Sequence, residues 1–570
     1  MKRPSARSSS SLYTLPARCS SRRGWPRWAA PLALALAVYG ALLASHAALL
    51  RLPYYWDEAG YYIPAALDCF RHGWLIPRST LANGHPPLLS LYLAAVWSLA
   101  GLHIWATRAA MLAWAAALIC GVYALAAGRL GRRAAAVPAL LVALAPLVFA
   151  QSSLAQLDLP VAALVIWALV AREGGRPWGE VGLLAAACLM KETAVIVPAV
   201  LLVYEMVRRR PAAAVRGGRG AAALGPAPTL RLLIPVAVLG AWFVYYHAHT
   251  GYWFGNPQYF AYNVGGAAAS LPRILLSLAR RLWQLTLYDG SGALTCLALL
   301  GCLAARRRRR PRGPGWPAPW LLVMAAYVLF HAVVGGAVLA RYLLPALALY
   351  YIVAAEEVLH LPRAVWWAAG GAAVLVSSWF WNPPYPFPYE DNLAYVHFVR
   401  LHQAAARELE RHPPAGPILT AWPATDELTR PALGYVSRPL PVQAVQDFRP
   451  ASLAAVKRPP AVLYLYSRVY QPDFDLTRDT PWWANWSRRY YAFAAPAPPR
   501  AWLVRLHLAA FFHRSASGQW VLLAAAKDRR GARAAALSSA AFAPTWPAVQ
   551  TAQPRWGPRQ HWLPPSRGGG

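Results

Sequence analysis

Only 22 of the 570 residues are Asp or Glu, so the position of each acid carries information. Two adjoin in PYYWDEAGYY (53–62), as Asp57 and Glu58. A carboxylate there is placed to take a proton from an attacking hydroxyl or amine. His85 opens HPPL, Asp158 lies in QSSLAQLDLP, Lys191 and Glu192 stand in KET, and Arg341 and Tyr342 stand in ARYLLP. Arg holds a phosphate by a planar fork and Lys by a point charge. Lys191, Arg341 and His85 are therefore candidate phosphate ligands. The aromatic run Tyr54, Tyr55, Trp56, Tyr61 and Tyr62 suits a sugar face or a lipid headgroup boundary. A sugar carried on a lipid phosphate would use all three kinds of group.

Each of these residues also has a purely structural reading. Asp57 and Asp158 can cap helix starts, as can His85 ahead of Pro86. Lys191 and Glu192 can pair with each other, and Arg341 can snorkel from a span end. Glu58 can orient its neighbours, bind a metal or face water. His247 and His249 are two residues apart, unlike the i, i+4 spacing of a helical metal pair.

The elements that must position these groups are apolar. The chain is 58% hydrophobic, with mean hydropathy +0.31, and long uncharged runs recur as candidate membrane spans. The formal charge of +34 falls in clusters between those runs, at 129–133, 208–210 and 306–310. That is the positive-inside pattern and argues against nucleic acid as a partner. Spans are expected near 29–50, 105–127, 134–150, 158–171, 180–190, 194–207, 231–247, 287–305, 318–337, 342–358 and 364–381. Helices near 57–71 and 87–101 are expected to lie on the outer surface, because a span at 87–101 would put the following Arg loops on the wrong side. With that assignment the chemically interesting residues gather at the outer face, where ionisable groups at membrane depth usually mark a substrate path.

The domain organisation follows. Residues 1–28 form a basic cytoplasmic N-terminus. Residues 29–381 form a transmembrane domain whose outer loop, 51–104, carries the surface helices. Residues 382–524 form an outer α/β domain, and 525–570 a low-complexity tail without fixed order. The fold class is mainly α, polytopic, with a C-terminal α/β domain. In that domain a helix is expected over 391–411, with short strands in PILTAW, LPVQAV, AVLYLYS and AWLVRLHL. Its Asp426-Glu427 pair reads as a solvated helix face. The six cysteines have no metal spacing and read as packing residues.

The order DEAGYY, GHPPL, a loop Asp, KET and RYLLP resembles the integral-membrane glycosyltransferases of the GT-C fold. The resemblance is to the branch of protein O-mannosyltransferases and the lipid A aminoarabinose transferase. It covers roughly 29–360. It implies an inverting transfer at the outer face of the inner membrane, from a polyprenyl-phosphate sugar to a lipid, glycan or protein acceptor. It implies that Asp57 is the catalytic carboxylate, that Asp158 supports the site, and that His85 contacts the donor phosphate. It leaves a divalent metal open. Tyr61, Glu58, Lys191, Glu192, Arg341 and Tyr342 complete the expected site. Two other functions are compatible with a polytopic chain: a flippase for lipid-linked sugars, and a polysaccharide polymerase or ligase. A flippase is expected to show internal repeats, and none is evident.

Overall fold

The computed structural model describes residues 29–215, 227–257, 270–308, 315–334, 339–470, 479–482, 485 and 497–526. Cys19, the basic N-terminus and nearly all of the expected tail lie outside them.

The body is helical. In chain order the helices are α1 (Ala29–Ser45), α2 (Ile63–His72), α3 (Leu88–Ala100), α4 (Ile104–Leu130), α5 (Ala136–Leu144), α6 (Pro146–Ser152), α7 (Asp158–Glu173), α8 (Pro177–Met190), α9 (Ile196–Val215), α10 (Ala227–Leu230), α11 (Leu233–Thr250), α12 (Leu271–Thr286), α13 (Ser291–Arg307), α14 (Ala318–Val334), α15 (Leu344–Val358) and α16 (Ala364–Ser377). The ends follow local chemistry. Gly73 and Gly251 adopt positive φ and close α2 and α11, the usual left-handed cap. Pro160 sits in the first turn of α7, where its missing N–H is no loss.

Two expectations need correction here. The span at 134–150 is two helices, because Pro146 cannot continue the hydrogen-bond ladder and starts a new helix after Ala145. The segment before 287 is an unforeseen helix, α12. Its Arg273, Arg280 and Arg281 alternate with leucines in an amphipathic pattern, and it meets α13 at 78°. Among the described residues one helix, Ile104–Leu130, is long and apolar enough to cross a membrane alone. Shorter apolar helices include Pro177–Met190, Ala318–Val334 and Ala364–Ser377.

Two polar layers fix the direction of the helices. At one end Arg129 of α4 grips Glu356 of α15 through two bonds, at 2.6 and 2.8 Å. At that end too, Arg172 of α7 binds Glu180 of α8 at 2.5 Å and Glu205 of α9 at 2.8 Å. Arg231 reaches the same two acids. The start of α8 and the far part of α9 therefore lie together, and 191–195 is the turn at the other end. Helices α13 and α15 approach closely at Gly301, where any Cβ would fall on the Glu357 carbonyl.

The C-terminal unit is a layer of helices on a five-stranded sheet. Its helices are α17 (Ala394–Arg411), α18 (Ala424–Thr429), α19 (Pro450–Ala455) and α20 (Pro499–Arg505). Its strands are β1 (Ile418–Ala421), β2 (Val442–Val445), β3 (Val462–Tyr466), β4 (Leu508–Ala516) and β5 (Gln519–Ala526), in the order β2-β1-β3-β5-β4. Strand β1 runs parallel to β2 and β3, while β5 is antiparallel to β3 and β4. The expected strand over 501–508 is instead α20 followed by the start of β4. Pro499 begins that helix. The β4–β5 hairpin turns at Ser517-Gly518, both at positive φ, as a tight hairpin turn requires. Cys69, Cys120, Cys188 and Cys296 are free thiols.

Gly301→Val forces backbone apart at the α13–α15 crossing and is expected to lower thermal stability markedly. Gly240→Val points into open space and is expected to change it little. Melting curves of the two purified proteins in one detergent test the contrast.

Candidate active site

The site is assembled from the end of the helical body opposite the Arg172 layer. Arg341 lies in a short 3-10 turn, Ala340–Leu343, that leads into α15. Its guanidinium is buried and shared. One Nη binds Asp57 at 2.5 Å and the other binds Glu390 at 2.5 Å. The latter nitrogen also donates to the Gln156 side chain, and Nε faces Asp158 at 3.2 Å. Lys191 completes the network with a 2.6 Å bond to Asp158. Its ammonium lies 4.0 Å from the centre of the Tyr342 ring, a cation–π contact.

This geometry brings Asp57, Asp158, Lys191, Arg341 and Tyr342 together. Within the network Asp57 is the accessible acid: its side chain is 20% exposed, against 6% for Asp158 and 4% for Glu390. Lys191 does not pair with Glu192. Glu192 instead binds Nδ1 of His85 at 2.7 Å. His85 borders a small recess of about 30 Å³ with Tyr61, Tyr62, Asn83 and Leu157. The Tyr62 and His85 rings are 6.1 Å apart.

The backbone around Asp57 is unusual on both sides. Trp56 has φ 45°, a left-handed conformation rarely adopted by a bulky residue. Residues Glu58–Tyr62 form a π-helical turn, a feature frequent at functional sites. Strain of this kind persists only where surroundings enforce it, and here they do. The Trp56 ring packs against Phe398 and Trp422 of the C-terminal unit at 5.5 and 5.3 Å. Gly60 lies so close under the Trp422 indole that a Cβ would overlap it. Tyr54 donates its N–H to the Leu433 carbonyl, and Tyr435 donates to the Tyr54 carbonyl, each at 3.1 Å.

Glu58 is the expectation that needs correction. It is fully buried. Its oxygens accept from Arg108 at 2.6 and 3.0 Å, from the Tyr55 N–H at 2.8 Å and from the Ala155 N–H at 2.5 Å. A carboxylate so fully engaged anchors the loop and is not available for chemistry. Asp426-Glu427 is not a solvated face either: Glu427 is buried and binds Nδ1 of His402 at 2.5 Å. His247 stacks on Trp253 at 4.0 Å, and His249 bonds the Tyr245 carbonyl. Among the described residues no group of three or more His, Cys, Asp or Glu side chains is arranged to hold a metal ion.

The sequence reading missed Arg108, Gln156 and Glu390. Glu390 stands in the Pro-rich stretch WNPPYPFPYEDN, which reads as a linker. The rarity of acids was the signal available for it. Burial pushes the Glu390 carboxyl up to about 8, although Arg341 pulls it down; Asp57 and Asp391 add to the rise. Asp391, which accepts from Tyr288 at 2.6 Å, is pushed up to about 7, chiefly by burial. Charge balance favours the same direction. Two cations, Arg341 and Lys191, face three carboxylates, so one bound proton neutralises the cluster.

Residues 84–224 match the family model described as dolichyl-phosphate-mannose-protein mannosyltransferase. The match takes in His85, Asp158, Lys191 and Glu192. Over that segment the chain is similar to GT-C glycosyltransferases, as its motifs suggest. Comparison with curated protein sequences finds no match. Among solved structures, ArnT from Cupriavidus metallidurans bound to undecaprenyl phosphate is 15% identical, with 87% of this chain and 97% of that chain covered and a TM-score of 0.48. Its apo state gives 16%, 87%, 97% and 0.49. The Archaeoglobus fulgidus oligosaccharyltransferase in complex with Zn and sulfate gives 12%, 72%, 62% and 0.39. TM-scores under 0.5 leave the fold to be argued from this chain itself.

Two outcomes follow. Arg108→Met strands the buried Glu58 charge and is expected to cost about 3–5 kcal/mol, read as a loss of folded protein in denaturant titration. Glu390 has a raised carboxyl in the folded state, so the folded protein binds its proton more tightly than the unfolded chain. Its contribution is full below the unfolded value of 4.5 and is lost as pH rises toward about 8. Glu390→Gln imitates the protonated form and is expected to flatten the fall in melting temperature across that window.

Proposed function

We propose that the chain is a multi-pass membrane glycosyltransferase that moves a sugar from a polyprenyl-phosphate donor to an acceptor at the outer face, with Asp57 as the catalytic carboxylate. The observation that carries this reading is the Asp57–Arg341–Asp158–Lys191 network. It sets one accessible carboxylate beside two otherwise enclosed cations. The family likeness over 84–224 supports a glycosyltransferase, and undecaprenyl phosphate is the ligand named for the ArnT structure.

The chemistry is a single displacement. The acceptor O–H or N–H attacks the anomeric carbon while the bond from that carbon to the phosphate oxygen breaks. The lipid phosphate leaves with the bonding pair, and the acceptor proton passes to Asp57. Attack from the face opposite the phosphate inverts the anomeric centre. Arg341 and Lys191 are the groups suited to meeting the leaving charge. Arg341 also fixes the direction of the Asp57 carboxylate. His85, held by Glu192, and Tyr61 border the recess beside them and are assigned to donor contact. The outward assignment of this end rests on the positive-inside pattern: Arg129, Arg208 and Arg306 stand toward the other end of α4, α9 and α13. The acceptor class and any divalent metal are open to the same assay.

Transfer of radiolabelled sugar from polyprenyl-phosphate donors, in membranes containing the protein, tests the reading. Asp57→Asn is expected to lower the rate about 100-fold or more with donor binding retained. Equal transfer by both proteins removes Asp57 from the mechanism. Lipid-linked sugar crossing the bilayer without transfer favours the flippase reading.

A further inference from the structure

The C-terminal unit carries a concave basic feature that the transfer site does not use. It lies between α17 and β4, measures about 410 Å³, and is lined by His397, Arg400, Arg514 and Ser515. Helical geometry separates it from the catalytic loop. Phe398 points from α17 toward Trp56, whereas Arg400 stands about 160° and His397 about 100° away from it around the same helix.

The charges here are arranged unlike those in the body. Arg108, Arg129, Arg172, Arg231 and Arg341 each bind a carboxylate. Arg400 and Arg514 are exposed, and among the described residues neither forms an ion pair. Arg514 rests beside the Phe512 ring at 5.5 Å, which limits its sweep. His397 Nε2 lies 3.5 Å from the Ser517 hydroxyl on the hairpin turn. Burial, and then Arg400, hold this imidazole below its ordinary value, so the cleft already senses the positive charge. Its volume falls within the range typical of small-ligand sites, and two guanidinium forks beside a hydroxyl match the oxygens of a phosphate.

We propose that this cleft binds a phosphate ester, with Arg400 and Arg514 as its ligands. The proposal stands on the outer unit alone and does not depend on the transferase reading. A phospholipid headgroup and a small phosphorylated solute present the same chemistry, and the test separates them.

The full chain in detergent is titrated with glucose 1-phosphate and with inorganic phosphate by thermophoresis. In parallel, it is examined by native mass spectrometry with phosphatidylglycerol against phosphatidylcholine. Arg400→Ser/Arg514→Ser is expected to weaken binding about tenfold or more. Arg407→Ser, an exposed change on the same helix outside the cleft, is expected to leave it unaltered. Raised salt is expected to weaken the wild-type interaction. Binding of the soluble phosphates identifies a solute site. Retention of phosphatidylglycerol alone, lost in the double variant, identifies a headgroup site. Absence of binding to every probe overturns the proposal. So does equal loss in Arg407→Ser, which would mean diffuse charge, or undiminished binding by the double variant.

Discussion

The sharing of Arg341 among three carboxylates is the constraint on which the rest of the site depends. Asp57 comes from the first loop, Asp158 from the start of α7, and Glu390 from the segment entering the C-terminal unit. These positions are far apart in sequence, and one guanidinium holds them in register. Burying such charges is costly, and replacement by apolar residues often stabilises a protein. Retention of five ionisable side chains within one enclosure is better explained by the geometry it imposes than by stability. Lys191 then supplies the second positive charge, and a proton on Glu390 removes the remaining imbalance.

The same logic explains why the C-terminal unit is more than an appendage. Trp56 holds a backbone conformation that a free loop would abandon, and the following π-turn needs its glycine because an indole covers it. Phe398 and Trp422, which impose those conditions, both belong to the C-terminal unit. Glu58 and Arg108 oppose them from the helical side. Asp57 thus projects from a segment fixed on two flanks, the preorganisation that its proposed catalytic role requires.

Much of the helical body was legible because hydrophobic length and Arg clusters are local signals. The turn at Lys191, the helix over 391–411 and three of the five strands were legible for the same reason. The break at Pro146 could be read but was overridden by a continuous apolar run. Helix α12 was missed because its arginines mask its apolar face in a simple count. AWLVRLHL alternates well enough for a strand, yet Pro499 and tertiary packing make most of it a helix. At the site, residue types and order pointed to Asp57, Asp158, Lys191 and Arg341. They did not reveal who pairs with whom. Lys191 beside Glu192 suggests a local pair, but a residue in extended conformation sends adjacent side chains to opposite sides. Glu58 beside Asp57 suggests a joint role, and the π-turn divides their partners.

The distribution of arginine gives a physical criterion for separating structural from functional charge. A chain with a formal charge of +34 has few acids to spend, yet it commits Glu58, Glu180, Glu205, Glu356 and Glu390 to buried or partly buried guanidiniums. Those pairings fix the helices at both ends and the loop between them. A cation beside a carboxylate that is itself accessible, as Arg341 is beside Asp57, can serve a reacting group without losing its position. A cation with no carboxylate at all contributes little to the fold, because water already satisfies it. Among the described residues Arg400 and Arg514 form no ion pair, and both line one concavity. A guanidinium not engaged in an internal ion pair keeps its fork available for an anion from outside.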